Sequence, residues 1–127
     1  IDAGLLVYVG VAQADVQADL DYLADKIRHL RIFRDDRDKL NLDVVQAGGQ
    51  VLAVSAFTLQ ADARKGRRPS FDAAAPPDQA RNLFDKLCER LGQLGLTVRT
   101  GVFQAAMEVD AVNDGPICIL LDSTREF

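Results

Sequence analysis

The chain has 127 residues, of which 48% are hydrophobic and 27% are charged, a balance that excludes an intrinsically disordered chain and suits one domain. Its 15 Lys and Arg against 19 Asp and Glu give a net charge of −4, which excludes a uniformly basic surface for nucleic acid but allows a local basic patch. No apolar run approaches the ~20 residues that cross a bilayer and no signal peptide pattern opens the chain, so we expect a cytoplasmic protein without membrane contact.

The first part of the chain shows a strand pattern, then a helix pattern, then a strand pattern again. The apolar run Gly4–Val11 predicts a buried strand. Apolar residues at spacings of four and three predict an amphipathic helix over Asp15–Leu30. A short strand is predicted at Arg31–Phe33. Two further strands, Asn41–Val45 and Gln50–Phe57, are predicted to form a hairpin, because the two glycines between them suit a turn with positive φ.

The second part begins with a polar loop over residues 60–71 and continues with a helix that starts near Pro76 and carries an apolar stripe to Leu94. Strands are then predicted at Thr97–Thr100, Val102–Val112 and Ile117–Asp122. Strands predominate and the two helices can cover one sheet face. The pattern therefore predicts a single two-layer α/β (α+β) domain over residues 1–127, with a mixed β-sheet covered by two main helices.

The residues that usually carry catalysis or metals are scarce. The only histidine, His29, has no acid or nucleophile partner visible in the sequence, and we interpret it as a structural or surface residue. Cys88 and Cys118 match no disulfide framework or metal-ligand spacing, and packing roles are expected for both. No phosphate-binding loop, dinucleotide motif or nucleophile elbow occurs. We therefore expect no cofactor and no metal.

Three segments are unusual, although each also has an ordinary structural interpretation. Residues 55–59 place polar groups at the end of an apolar strand, where they can face a ligand or merely close the strand. Residues 60–71 hold four cations and one carboxylate, which suits phosphate binding or a solvated loop. The sequence of residues 113–116, Asn-Asp-Gly-Pro, is typical of a turn.

Taken together and in this order, these segments resemble the bacterial and eukaryotic D-aminoacyl-tRNA deacylases. The resemblance extends over nearly the whole chain. It is carried by the runs GLLVYVGV at 4–11, RIF at 31–33, NLDV at 41–44, AGG at 47–49, RPSF at 68–71, TGVF at 100–103 and NDGP at 113–116, together with Met107. It implies hydrolysis of the ester of D-aminoacyl-tRNA and of mischarged glycyl-tRNA, with L-aminoacyl-tRNA spared.

The resemblance also implies the residue roles. The family motif of serine, glutamine, phenylalanine, threonine and leucine matches residues 55–59, which implies catalytic roles for Ser55, Phe57 and Thr58. In the family, the terminal 2′-hydroxyl of the tRNA is thought to assist. Family members are homodimers in which a Gly-cis-Pro pair enters the partner's pocket and rejects an L side chain. Residues implied for chiral selection and substrate binding are Gly115, Pro116, Ala56, Phe103, Met107 and Asn113, and those implied for tRNA binding are Arg64, Lys65, Arg67 and Arg68.

The chain departs from the family pattern at three places. Ala56 replaces the motif's glutamine, Ile117-Cys118 replaces valine-threonine, and the family's N-terminal strands are missing, which would leave a sheet edge unpaired. Two alternatives therefore stay open. One is a related deacylase with relaxed chirality, whose Gly115-Pro116 bond is trans. The other is a dimeric tRNA-binding or nucleic-acid-binding module without turnover.

Overall fold

A computed structural model describes all residues from Ile1 to Phe127. The chain forms two α-helices, five short strands and one 3-10 helix. In order they are β1 (Gly4–Val9), α1 (Gln17–His29), β2 (Phe33–Arg34), β3 (Leu40–Leu42), β4 (Gln50–Ser55), a 3-10 helix (Phe57–Gln60), α2 (Pro77–Gln93) and β5 (Val98–Thr100). Neither α-helix has the length and apolar character needed to span a membrane.

The main sheet has three parallel strands in the order β1-β4-β5. Leu6 pairs with Leu52 across the first ladder, and Ala53 pairs with Thr100 across the second. Parallel neighbours need a long crossover connection, and α1 and α2 lie within the two crossovers. The strands β2 and β3 form a separate antiparallel ribbon.

Both helices pack on one face of the main sheet. Alternate residues of a strand point to the same face, and the apolar ones on this face contact the helices. Val51 and Ala53 of β4 are fully buried, as are Ala24 of α1 and Leu91 of α2. The apolar stripes of the two helices meet in the same cluster. Its buried members are Val9, Leu20, Ala24, Ile27, Val44, Val51, Ala53, Phe84, Leu87, Leu91 and Leu96.

The two-layer α/β architecture with two helices is confirmed, but its pairing differs from the sequence prediction. Parallel and antiparallel strands belong to separate sheets rather than to one mixed sheet. The predicted hairpin between Asn41–Val45 and Gln50–Phe57 is wrong, because β3 pairs with β2 and β4 pairs with β1 and β5. Between them the chain forms a tight turn, in which the Gly49 amide donates to the Val44 carbonyl at 2.8 Å. Gly48 has the expected positive φ of 72°.

The predicted strands over 102–112 and 117–122 are also wrong. This part of the chain has no regular structure, and within it one backbone hydrogen bond forms, from Ala105 to Val102 at 3.2 Å. Strands need a neighbouring edge to pair with, and this segment pairs with no strand of its own chain. Several of its apolar residues remain exposed, with Val112 at 97% and Leu120 at 72%.

Candidate active-site cleft

A cleft of about 930 Å³ opens beside the end of β4. Five pieces of the chain form its walls: the end of β1, the end of β4 with the following 3-10 helix, the segment before α2, the first turn of α2, and the irregular segment after β5. Its lining residues are Tyr8, Val11, Val54, Ser55, Ala56, Phe57, Thr58, Phe71, Ala74, Ala75, Pro77, Ala80, Phe103, Gln104, Ala105, Ala106, Met107 and Val109.

The inner wall holds the first group of residues singled out in the sequence. The strand β4 ends at Ser55, and the Ala56 amide still pairs with the β1 end by donating to the Val9 carbonyl at 2.8 Å. The chain then turns, and the Leu59 amide donates to the Ala56 carbonyl at 3.1 Å. The turn is therefore held by the backbone groups of Ala56. Replacement of the motif's glutamine by alanine leaves these two hydrogen bonds in place.

The same turn leaves backbone donors at the cleft. The first bond of the 3-10 helix is the one from Leu59 to Ala56, so the amides of Phe57 and Thr58 have no acceptor within the turn. Backbone amides held in this way can stabilise negative charge that develops on a carbonyl oxygen. Their position depends on Gly10, because a Cβ there would lie 2.8 Å from the Leu59 Cβ and push the turn away from β1.

Two aromatic side chains meet at the cleft. Phe57 is 58% exposed, and its ring lies 5.1 Å from that of Phe71, centroid to centroid, with the rings tilted edge to face at 68°. Sequence reasoning assigned no role to Phe71 or to Tyr8. Tyr8 could have been found from strand alternation, because it points away from the face that carries Val7 and Val9.

The outer wall consists of residues 103–109, as the resemblance implied for Phe103 and Met107. The Met107 sulfur accepts a hydrogen bond from the Val102 amide at 3.4 Å. Gly101 makes this contact possible, because a Cβ on that residue would approach the sulfur to 2.7 Å. Residues from two separate motifs, Ser55–Thr58 and Phe103–Met107, therefore line the same cleft.

The cleft contains no carboxylate, histidine, lysine, arginine or cysteine. His29 lies at the exposed end of α1, where its Nδ1 contacts Asp25 at 3.1 Å. Cys88 packs against the core, as expected, and burial raises the pKa of its thiol to about 11. The packing role expected for Cys118 is wrong, because this thiol is exposed and accepts a hydrogen bond from the Asn113 side chain at 3.2 Å. The polar side chains of this chain that line the cleft are the hydroxyls of Ser55, Thr58 and Tyr8 and the amide of Gln104.

Asn113, Gly115 and Pro116 do not line the cleft of their own chain. They lie in the exposed part of the irregular segment. The Gly115-Pro116 peptide bond is cis, whereas the relaxed-chirality alternative required a trans bond.

The four predicted tRNA-binding cations differ in how they are paired. Arg64 forms a two-pronged ion pair with Asp62, through Nε at 2.9 Å and a terminal nitrogen at 2.6 Å. This pair keeps the pKa of Asp62 far below its usual range. Lys65, Arg67 and Arg68 are exposed and form no ion pair. Three cations of the loop are thus free to meet phosphates.

Comparison with known proteins identifies the family. The sequence profile of the D-Tyr-tRNA(Tyr) deacylase family matches residues 1–122. The chain belongs to this family. It is 56% identical, over all its 127 residues and 85% of the relative, to a protein of Koribacter versatilis named D-aminoacyl-tRNA deacylase.

Solved structures of similar proteins support the fold of this deacylase family member. A structure titled c-Myc DNA Unwinding Element Binding Protein matches with a TM-score of 0.83 and 35% identity, covering 90% of this chain and 78% of that one. A structure of a probable eukaryotic D-amino acid tRNA deacylase matches with a TM-score of 0.59 and 20% identity, covering 72% of this chain and 54% of that one. The second likeness concerns the fold alone.

Proposed function

We propose that this protein hydrolyses the ester bond of D-aminoacyl-tRNA and of mischarged glycyl-tRNA, and spares L-aminoacyl-tRNA. The observation that carries this proposal is the composition of the cleft, which offers backbone amides and hydroxyls but no ionisable acid, base or nucleophile except the phenol of Tyr8. Such a site suits an ester, which is more reactive than an amide. Family membership indicates the same activity.

The reaction needs a positioned water and a place for negative charge. Water attacks the ester carbonyl, and we assign the amides of Phe57 and Thr58 the role of donating to the oxygen that becomes negatively charged. The carbon–oxygen bond to the ribose then breaks, and the proton released by water ends on the ribose oxygen. The products are free tRNA and the D-amino acid. We assign Ser55 and Thr58 the role of orienting water and substrate through their hydroxyls.

The basic loop is the proposed contact for the tRNA backbone. It begins immediately after the 3-10 helix and ends at Phe71, so both of its ends adjoin the cleft. Two backbone hydrogen bonds between Asp62 and Ser70, at 2.7 and 2.9 Å, close its base. We assign the exposed side chains of Lys65, Arg67 and Arg68 the role of contacting phosphates of the acceptor end when the ester is held in the cleft.

We further propose that two copies of the chain form a homodimer in which Gly115 and Pro116 of one copy enter the cleft of the other. Two observations support this arrangement. The Gly-Pro pair lies outside its own cleft, and the segment that carries it exposes large apolar side chains. A rigid backbone wall at the Cα of the substrate can exclude an L side chain while ignoring which D side chain is present.

The first experiment measures amino acid release from matched D-aminoacyl-, L-aminoacyl- and glycyl-tRNA. Cleavage of the D and glycyl esters with the L ester spared is expected. Cleavage of the L ester as well would remove chiral selection from the proposal. Binding of tRNA without release of any amino acid would favour the alternative of a tRNA-binding module that does not catalyse hydrolysis. The observation that favours this alternative is Ala56, which stands where the family motif has glutamine.

A mixing experiment tests the exchange of Gly115-Pro116 between copies. Pro116→Ala is expected to cleave L-aminoacyl-tRNA, and Thr58→Ala is expected to be about 100-fold slower than wild type. In a mixed dimer, the intact cleft of the first variant meets the intact Pro116 of the second. Adding an excess of the slow Thr58→Ala chains should therefore restore discrimination against the L ester. If mixing leaves the ratio of D to L cleavage unchanged, Pro116 does not act on the partner's cleft.

A further inference from the structure

The outer wall of the cleft depends on side chains for its position. Residues 102–109 belong to no helix or strand, and one backbone hydrogen bond forms among them. A wall built this way moves unless side chains fix it to the folded core. Phe103 is the residue of this wall whose ring packs against the buried cluster formed by Val11, Ala75 and Ala80.

Two residues of α2 hold the ring of Phe103. The Phe84 ring lies 6.4 Å away, centroid to centroid, at an angle of 44°. The guanidinium carbon of Arg81 lies 4.5 Å from the centroid of the Phe103 ring, which is within the range of a cation–π contact. Arg81 and Phe84 are three residues apart, so both lie on the same face of the helix.

Arg81 has no other partner. It is exposed, no carboxylate oxygen lies within 4.0 Å of it, and its side chain forms no hydrogen bond. It also does not line the cleft. The interaction that this side chain makes is therefore the contact with Phe103. Arginine suits such a contact because its planar guanidinium stacks on an aromatic face while its other face remains hydrated.

We infer that Arg81 is a positioning residue for the proposed hydrolysis, because its guanidinium holds Phe103 against α2 and so sets the outer wall of the cleft. This inference rests on the proposed function, since the wall matters only if a substrate lies against it. Loss of the contact lets residues 102–109 move away from α2. The cleft then holds the aminoacyl group less well, while the inner wall with its donors is unchanged.

Kinetics of Arg81→Ala provide the first test. Exposed cation–π contacts correspond to a change of about two- to five-fold in an equilibrium, so KM for D-aminoacyl-tRNA should rise by that factor with kcat unchanged. Arg81→Lys should recover part of the loss. The matched control is Lys86→Ala, an exposed cation of the same helix without such a contact. Equal effects of Arg81→Ala and Lys86→Ala would overturn the inference.

A double-mutant cycle distinguishes positioning from direct binding of phosphate. If Arg81 acts through the ring, Arg81→Ala should have no further effect once Phe103 is replaced by leucine. The salt dependence of tRNA binding should also be the same with and without Arg81. Independent losses in the double mutant, or a shallower salt dependence, would mean that Arg81 contacts tRNA and would overturn the inference.

A measurement without catalysis separates this inference from the proposed function. With 4-fluorophenylalanine at position 103, the ¹⁹F resonance should shift in Arg81→Ala and stay unchanged in Lys86→Ala. If the protein hydrolyses none of the three esters and this shift is still observed, the proposed function fails while the contact stands. If the resonance does not respond to Arg81→Ala, the positioning role fails whatever the activity.

Discussion

Ser55 and Thr58 bring hydroxyl groups to the inner wall of the cleft because β4 ends at Ser55 and the chain turns at once into a 3-10 helix. Sequence reasoning could place these residues at a strand end, since the apolar run stops there. It could not show what faces them. Phe103 and Met107 follow β5, and the parallel pairing of β5 with β4 brings their segment to the cleft.

Removing the Thr58 hydroxyl tests the role of the inner wall. Thr58→Ala should lower kcat for D-aminoacyl-tRNA by about 100-fold, because a misplaced water or ester loses most of the advantage of orientation. The measurement is single-turnover release of the amino acid. Thr97→Ala, which removes an exposed hydroxyl before β5, is the control. Wild-type rates in Thr58→Ala would show that the backbone amides are sufficient.

Arg64 illustrates what residue type alone does not reveal. The sequence predicts four equivalent cations in the basic loop, yet Asp62 neutralises one of them. We expect Asp62→Asn to release Arg64 and to steepen the salt dependence of tRNA binding by about 0.7–0.9 in the log–log slope, the value for one added phosphate contact.

Filter binding of tRNA at several salt concentrations measures this slope. Arg67→Ala and Arg68→Ala should change it in the opposite direction. Asp72→Asn is the matched control, because it removes a nearby exposed carboxylate that pairs with no arginine. If Asp62→Asn and Asp72→Asn behave alike, the freed Arg64 does not reach phosphate.

At the scale of elements, an ion pair joins α1 to the turn between β3 and β4. Arg28 contacts Asp43 at 2.8 Å, and its Nε donates to the Leu94 carbonyl after α2 at 3.1 Å. The Gln46 amide donates to the Asp43 carboxylate at 2.8 Å. The pKa of Asp43 is lowered most by this hydrogen bond from Gln46 and further by the hydrogen bond and charge of Arg28. Sequence patterns place Arg28 on the polar side of a helix and do not reveal this connection.

The lowered pKa predicts how stability depends on pH. Because the pKa of Asp43 is lower in the folded protein than the value of about 3.9 in the unfolded chain, its stabilising effect is present above pH ~4. The effect is lost as pH falls through the folded pKa. Asp43→Asn should therefore reduce the free energy of unfolding at pH 7, and the difference from wild type should shrink toward pH 3.

Urea unfolding at several pH values measures this difference. Asp36→Asn, an exposed residue in the turn between β2 and β3 without an ion pair, is the control and should leave the pH profile unchanged. A difference between Asp43→Asn and wild type that stays constant from pH 7 to pH 3 would contradict the assignment to Asp43 ionisation.

At the scale of the whole molecule, one segment of the chain has apolar side chains that the rest of the chain does not cover. The core of the α/β layer is well buried, but residues 102–120 expose Val102, Val112, Ile119 and Leu120. A contiguous exposed apolar segment is typical of a surface that another chain covers. This is the part of the sequence for which strands were predicted, and its strand-like pattern agrees with pairing that a single chain cannot supply.

The proposed dimer predicts the effect of charges in this segment. Val112→Asp and Leu120→Asp should convert the dimer to a monomer, because burying an unpaired carboxylate in an apolar interface is costly. Sedimentation equilibrium measures the mass, and circular dichroism should show an unchanged α/β core. Val45→Asp, at a 37% exposed position outside the segment, should remain dimeric. Dimers of unchanged stability in both variants would place the interface elsewhere.

The sequence by itself determined the two helices, the strand that begins at Gln50, the basic loop and the family, because these depend on local periodicity and on residue types in a fixed order. Only the tertiary structure decided which strands pair, since parallel ladders join residues that are far apart in the chain. The tertiary structure also decided that Ser55–Thr58 and Phe103–Met107 line one cleft and that Asp62 forms an ion pair with Arg64. Such relations depend on distances in space, which a linear pattern does not contain.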